Sequence, residues 1–108
     1  MPRVAIPVTQ ITRAGVAPGT EVNGDATNNH TVANNGRMFL EVRNSGAVSR
    51  TVTFRFPGVV DGQSVTPRAV SLAAAAIRRF GPFPTGDYGN QLQVDVDNAE
   101  LKLTAYGL

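Results

Sequence analysis

The sequence contains no cysteine, a single histidine and a single lysine among its 108 residues. The absence of thiols excludes a disulfide framework and thiolate metal sites, and leaves the redox compartment open. No apolar run is long enough to cross a membrane. After Met1-Pro2-Arg3 the chain alternates instead of forming the apolar centre of a secretion signal, so none is expected. There is no Gly-rich phosphate loop of the GxxxxGK[ST] kind. His30 lies in an Asn-rich stretch, where a general base would not be held in place. No enzymatic activity and no cofactor are therefore expected. Asp95, Asp97 and Glu100, in DVDNAE, lack the wrapping loop and bend glycine of a calcium site, and are read as solvent-facing. The sequon Asn29-His30-Thr31 is read as a chance match.

What is present is moderate in every respect. Hydrophobic residues make up 42% and charged residues 17%, so the chain is not disordered by charge and has the length of one domain with one core. The net charge is +2. Basic residues are scattered, and the one adjacent pair, Arg78-Arg79, points to opposite faces of a strand. A solvated surface, not a nucleic-acid stripe, is the expectation. Nine of the ten basic residues are arginine, a skew that suggests a high-GC genome and suits bidentate contact with carboxylates on a protein partner.

Along the chain, VAIPVTQIT (4–12) alternates around Pro7, which demotes it to an edge strand or an extended arm. Residues 13–36 form a long polar run rich in Gly and Asn. The predicted organisation is an N-terminal arm and loop over 1–36, ordering on a neighbour, and a β-sandwich body over 37–108. In the body, 38–43 and 48–56 alternate and are predicted to form a hairpin through Asn44-Ser45-Gly46. A third strand spans 65–72, after Pro57-Gly58 and the Asp61-Gly62 turn. SLAAAAIRRFGPFP (71–84) reads as a strand end, a small-residue turn, a strand at 77–80 and a rigid corner. Pro82 and Pro84 set that corner, with Phe80 and Phe83 pinned on either side. A helix is the rival reading of the alanine run. Residues 85–90 are a loop with Tyr88 at its tip, and 92–96 and 101–105 form a last hairpin. The fold class is all-β: a small immunoglobulin-like or jelly-roll-like sandwich with an extended N-terminal arm. Its predicted core is Leu40, Val42, Val52, Phe54, Val70, Leu72, Ile77, Phe80, Leu92, Val94, Val96, Leu101 and Leu103.

The segments ITRAGVAP, NNGRMFLEVRNSG, TVTFRFPGVVDG, VSLAAAAIRRFGPFP and LQVDVDNAELKLTAYGL, in that order, resemble small all-β capsid decoration (cement) proteins of tailed bacteriophages from high-GC hosts. The resemblance covers nearly the whole chain and rests on fold motifs. This chain has Ala73-Ala74-Ala75 where such proteins commonly carry a Pro-Ala-Gly turn. The resemblance implies a virion protein on the capsid exterior that clamps subunits of the major capsid protein, with trimers at lattice three-folds as one form, and without nucleic-acid or membrane partners. The lattice-binding element would be the stretch from Pro2 to Arg13, with Arg3, Val4, Ile6, Ile11 and Arg13 as contacts, and Arg37, Arg78 and Arg79 as secondary ones. A head–tail connector or tail component is the alternative. A surface- or carbohydrate-binding module is another, and it requires Phe83, Tyr88 and Tyr106 to be exposed together.

Overall fold

The computed structural model describes residues 3–57, 59–64 and 66–108. Pro2, at the head of the expected lattice-binding stretch, Gly58 and Val65 lie outside them. The strands are β1 (Val4–Ile6), β2 (Val8–Gln10), β3 (Val22–Asn23), β4 (His30–Ala33), β5 (Met38–Asn44), β6 (Arg50–Arg55), β7 (Val59–Val60), β8 (Gln63–Ser64), β9 (Arg68–Leu72), β10 (Ile77–Phe80), β11 (Gln91–Val96) and β12 (Leu101–Gly107). One helical turn, α1 (Thr85–Tyr88), precedes β11.

The strands build two mixed sheets that form a β-sandwich-like domain. The first sheet has the order β1-β4-β11-β6-β9, and the second β10-β5-β12-β2 with β3 also on β12. Period-two alternation makes each long strand amphipathic. In β5, Met38, Leu40, Val42 and Asn44 are buried and alternate with half-buried Phe39, Glu41 and Arg43. The inward faces of both sheets meet in one core, with Leu40, Val42, Val52, Leu92, Val94, Leu101 and Leu103 fully enclosed. Phe54 is its aromatic centre, 5.0 Å from the Phe80 ring and 5.2 Å from the Phe83 ring. Val70 and Phe80 close the core's margin, half-buried. Ile77, expected inside, is 54% exposed: it pairs with Arg43, whose side chain faces outward, and β10 is an edge strand.

Both predicted hairpins are corrected. β5 lies in the second sheet and β6 in the first; β11 lies in the first and β12 in the second. The links between them cross the sandwich instead of reversing within one sheet. β9 and β10 are also in opposite sheets, joined by a turn in which the Ala76 N–H donates to the Ala73 carbonyl at 3.0 Å. Ala75 takes a φ of 63° there, the position where a turn of this kind favours glycine. The strand–turn–strand reading of 71–80 holds and the helical rival does not. The one local hairpin among the described residues is β7–β8, with Asp61 at φ 52° and Gly62 at 75° between its strands.

The expected boundary at residue 37 is not where the sandwich begins. β4 sits between β1 and β11, in parallel register with the former and antiparallel with the latter. β1 and β2 are edge strands on one flank, one in each sheet, and Pro7 is the corner between them. The polar run hid β4 because its two inward residues are His30 and Val32, flanked by Thr and Asn.

Candidate docking surface

The outer faces of the two sheets differ. On the first sheet Thr31, Gln91, Gln93, Asp95, Thr51, Thr53 and Arg55 stand outward, a polar face on which Thr31 donates to Gln91 and Asp95 is held between Arg3 and Arg55. On the second, Phe39 of β5 and Tyr106 of β12 are register partners, and their rings stack at 5.2 Å. The chain after β2 folds over this stack. The Ile11 N–H donates to the Gly107 carbonyl at 2.8 Å, and the Gly19 N–H donates to the Tyr106 hydroxyl oxygen at 3.0 Å. Between this loop and β5–β10 lies a groove of about 360 Å³ lined by Ile11, Val16, Pro18, Phe39, Arg79 and Tyr106, among others. A second depression of about 410 Å³ adjoins it through Phe39, with Arg37, Met38, Pro82 and Leu108 in its wall. Val16 is 42% exposed and Leu108 58%.

The predicted contact residues divide. Ile11, Arg37 and Arg79 line this surface. Arg79 crosses it to Glu41 at 2.8 Å, with its own side chain largely exposed. Ile6 does not belong on any surface: it is 3% exposed, in the core beside Val32. Arg3 is engaged within the chain, donating to Asp95 Oδ1 at 2.6 Å and to the His30 carbonyl at 3.1 Å, and so fastens β1 to the first sheet. Arg55 grips the other oxygen of Asp95. Val4 is partly exposed at the sheet edge, and Arg13 is exposed in the loop after β2. Arg78 lies over the Phe80 ring at 5.5 Å, on the opposite flank face from Arg79. The signal for Phe39 was in the sequence: it is a large apolar residue at an outward position of an alternating strand.

The three aromatics named for a carbohydrate platform do not share a surface. Phe83 and Tyr88 are 4% and 7% exposed, and their rings meet edge-on at 5.1 Å. Tyr88 is held inward by α1 and stacks on Phe56 at 4.8 Å, not at a loop tip. Among the described residues no group of three His, Asp or Glu side chains gathers to hold a metal. Asp97 instead accepts from the Thr51 N–H.

His30 is fully buried, at the start of β4. Its Nε2 accepts from the Asp25 N–H at 2.9 Å, which places the proton on Nδ1, 3.2 Å from the Val4 carbonyl. Both nitrogens are thus occupied by backbone. Desolvation pushes its pKa below the ordinary 6.5, and Arg3 adds to this; the Val4 hydrogen bond and Asp25 oppose it. Below that ordinary value the unfolded chain takes up a proton that the folded chain refuses, so stability falls as pH drops through about 6.5, by at most about 1.4 kcal/mol per unit. Urea unfolding of wild type and His30→Gln between pH 7.5 and 5.5 checks this. The variant is expected to be less stable but to lose the His30 share of the slope; an unchanged slope contradicts the assignment.

Comparison with known proteins returns no matching family model, no matching curated protein and no matching solved structure.

Proposed function

We propose that the chain is a structural virion protein that binds the exterior of a phage capsid lattice and stabilises it, as a decoration protein does. The observation that supports this reading most is the one-sidedness of the sandwich. One sheet presents a polar Thr/Gln face with Asp95 paired to Arg3 and Arg55, and the other presents the Phe39–Tyr106 stack beside two depressions with Arg37 and Arg79 in their walls. An apolar centre with a polar, arginine-bearing margin is the anatomy of a protein-binding surface. The partner in this reading is the major capsid protein, with a trimer at a lattice three-fold as one form. Each contact contributes modest buried area across a subunit seam, and repetition over the lattice makes the shell harder to open.

Copy number in purified particles tests the reading. Quantitative mass spectrometry is expected to give about one chain per shell subunit, or one trimer per three-fold. A handful of copies per particle would overturn it in favour of a head–tail connector or tail component.

A further inference from the structure

We infer that the outer face of the second sheet, with Ile11 at its rim and without β1 or β2, is the docking surface, and that its occupant is an extended acidic protein segment carrying apolar side chains. This rests on the reading that the chain docks on a protein partner. β1 and β2 are spent on the fold: Ile6 is in the core, Arg3 is held by Asp95, and each strand pairs along one edge, β1 with β4 and β2 with β12. The face around Phe39 is unpaired and preformed, because its loop wall is tied down at Ile11 and Gly19. A preformed wall lowers the ordering cost of binding.

Charge selects the occupant. Arg37, Arg43, Arg79 and Lys102 stand on or beside this face against Glu21 and Glu41. Both carboxylates are already committed, Glu21 to Arg43 and Glu41 to Arg79, each at 2.8 Å. Among the described residues Arg37 has no carboxylate partner, while Lys102, farther along the same face, donates to the Ala99 carbonyl at 3.0 Å and joins Arg43 in favouring the charged form of Glu21. Two copies apposed through this face would set net positive charge against net positive charge, which opposes a two-fold pair. An acidic segment neutralises the same groups. The two depressions on either side of one ring suit an extended backbone, whose alternate side chains point the same way about 7 Å apart.

The test is an NMR titration of the ¹⁵N-labelled full chain with the peptide acetyl-Asp-Glu-Leu-Pro-Leu-Glu-Asp-amide. Its counterpart with lysine at every acidic position is the control. The expected result is amide shifts confined to the neighbourhoods of Val16, Phe39, Arg79 and Leu108, with affinity lowered at least about tenfold between 0.05 and 0.5 M salt. Phe39→Asp and Arg37→Glu each weaken binding about tenfold or more, while Thr53→Asp on the other sheet leaves it unchanged. Arg37→Glu keeps the test decisive if Phe39→Asp does not fold, since Arg37 is exposed. Equal binding of the lysine peptide, shifts on the first sheet, or no shifts at all would overturn the inference. So would dilution-dependent shifts at Phe39 without peptide, which would make a second copy the occupant. None of these outcomes changes the copy number in particles, so the two readings fail separately.

Discussion

Asn44→Ala is expected to destabilise the domain by about 3 kcal/mol and to lower the melting temperature by roughly 10–20 °C. Asn44 is fully buried at the end of β5, where the chain leaves one sheet for the other. Its amide nitrogen donates to the Val48 carbonyl at 2.7 Å and reaches the Leu72 and Ala73 carbonyls at 3.2 Å each. Its Oδ1 accepts from the Gly46 N–H at 3.0 Å, and its own N–H donates to the Ala76 carbonyl at 2.9 Å. One side chain therefore joins the β5–β6 corner to the β9–β10 corner. The next residue, Ser45, ties the same place to the β11–β12 corner through the Glu100 carbonyl. Alanine would leave buried carbonyls without donors, and such groups cost far more than an exposed hydrogen bond returns. Thermal and urea unfolding followed by circular dichroism measure the loss. A cost below about 1 kcal/mol would mean that the corners hold without Asn44.

Gly81→Ala is expected to cost about 2–4 kcal/mol. Gly81 has a φ of 149°, and a Cβ there would stand 2.9 Å from the Met38 carbonyl oxygen and 2.9 Å from Phe39 Cβ. These are parts of a central strand, so the strain has no flexible side chain to absorb it. The same substitution would press on Phe39, the residue shared by the two depressions, so peptide binding should weaken along with stability. Gly86→Ala is the control: nothing lies within 4 Å of its added Cβ, and the change should be nearly neutral in the same unfolding assay.

The strands were legible and their partners were not. Alternation marks which side of a strand is buried, and it located β5, β6, β11 and β12 closely. It cannot distinguish a hairpin from a link that crosses the sandwich, because inward faces of both sheets share one core and read identically. The five residues between Asn44 and Arg50 are enough for such a crossing, and the deciding contact is the buried amide of Asn44, which reads in sequence as an ordinary turn residue. Ile77 was misplaced because apolar residues at an edge can face either way, and its register with Arg43 decides the matter. His30 and Tyr88 were misplaced for the opposite reason: polar neighbours concealed a central strand and a helical turn. Of the candidate surface, Arg37, Arg79 and Ile11 were named through the family resemblance, and neither charge nor alternation singled them out. The groove itself was not legible, since it requires the fold-back of residues 11–19 onto Tyr106.

In the proposed role the chain binds a shell from outside and holds it closed. The most direct measurement adds the purified chain to particles assembled without it and follows the temperature at which they release their DNA. Saturable binding and a release temperature that rises with occupancy are expected. Particles that bind none of the chain, or bind it and open at an unchanged temperature, would contradict it.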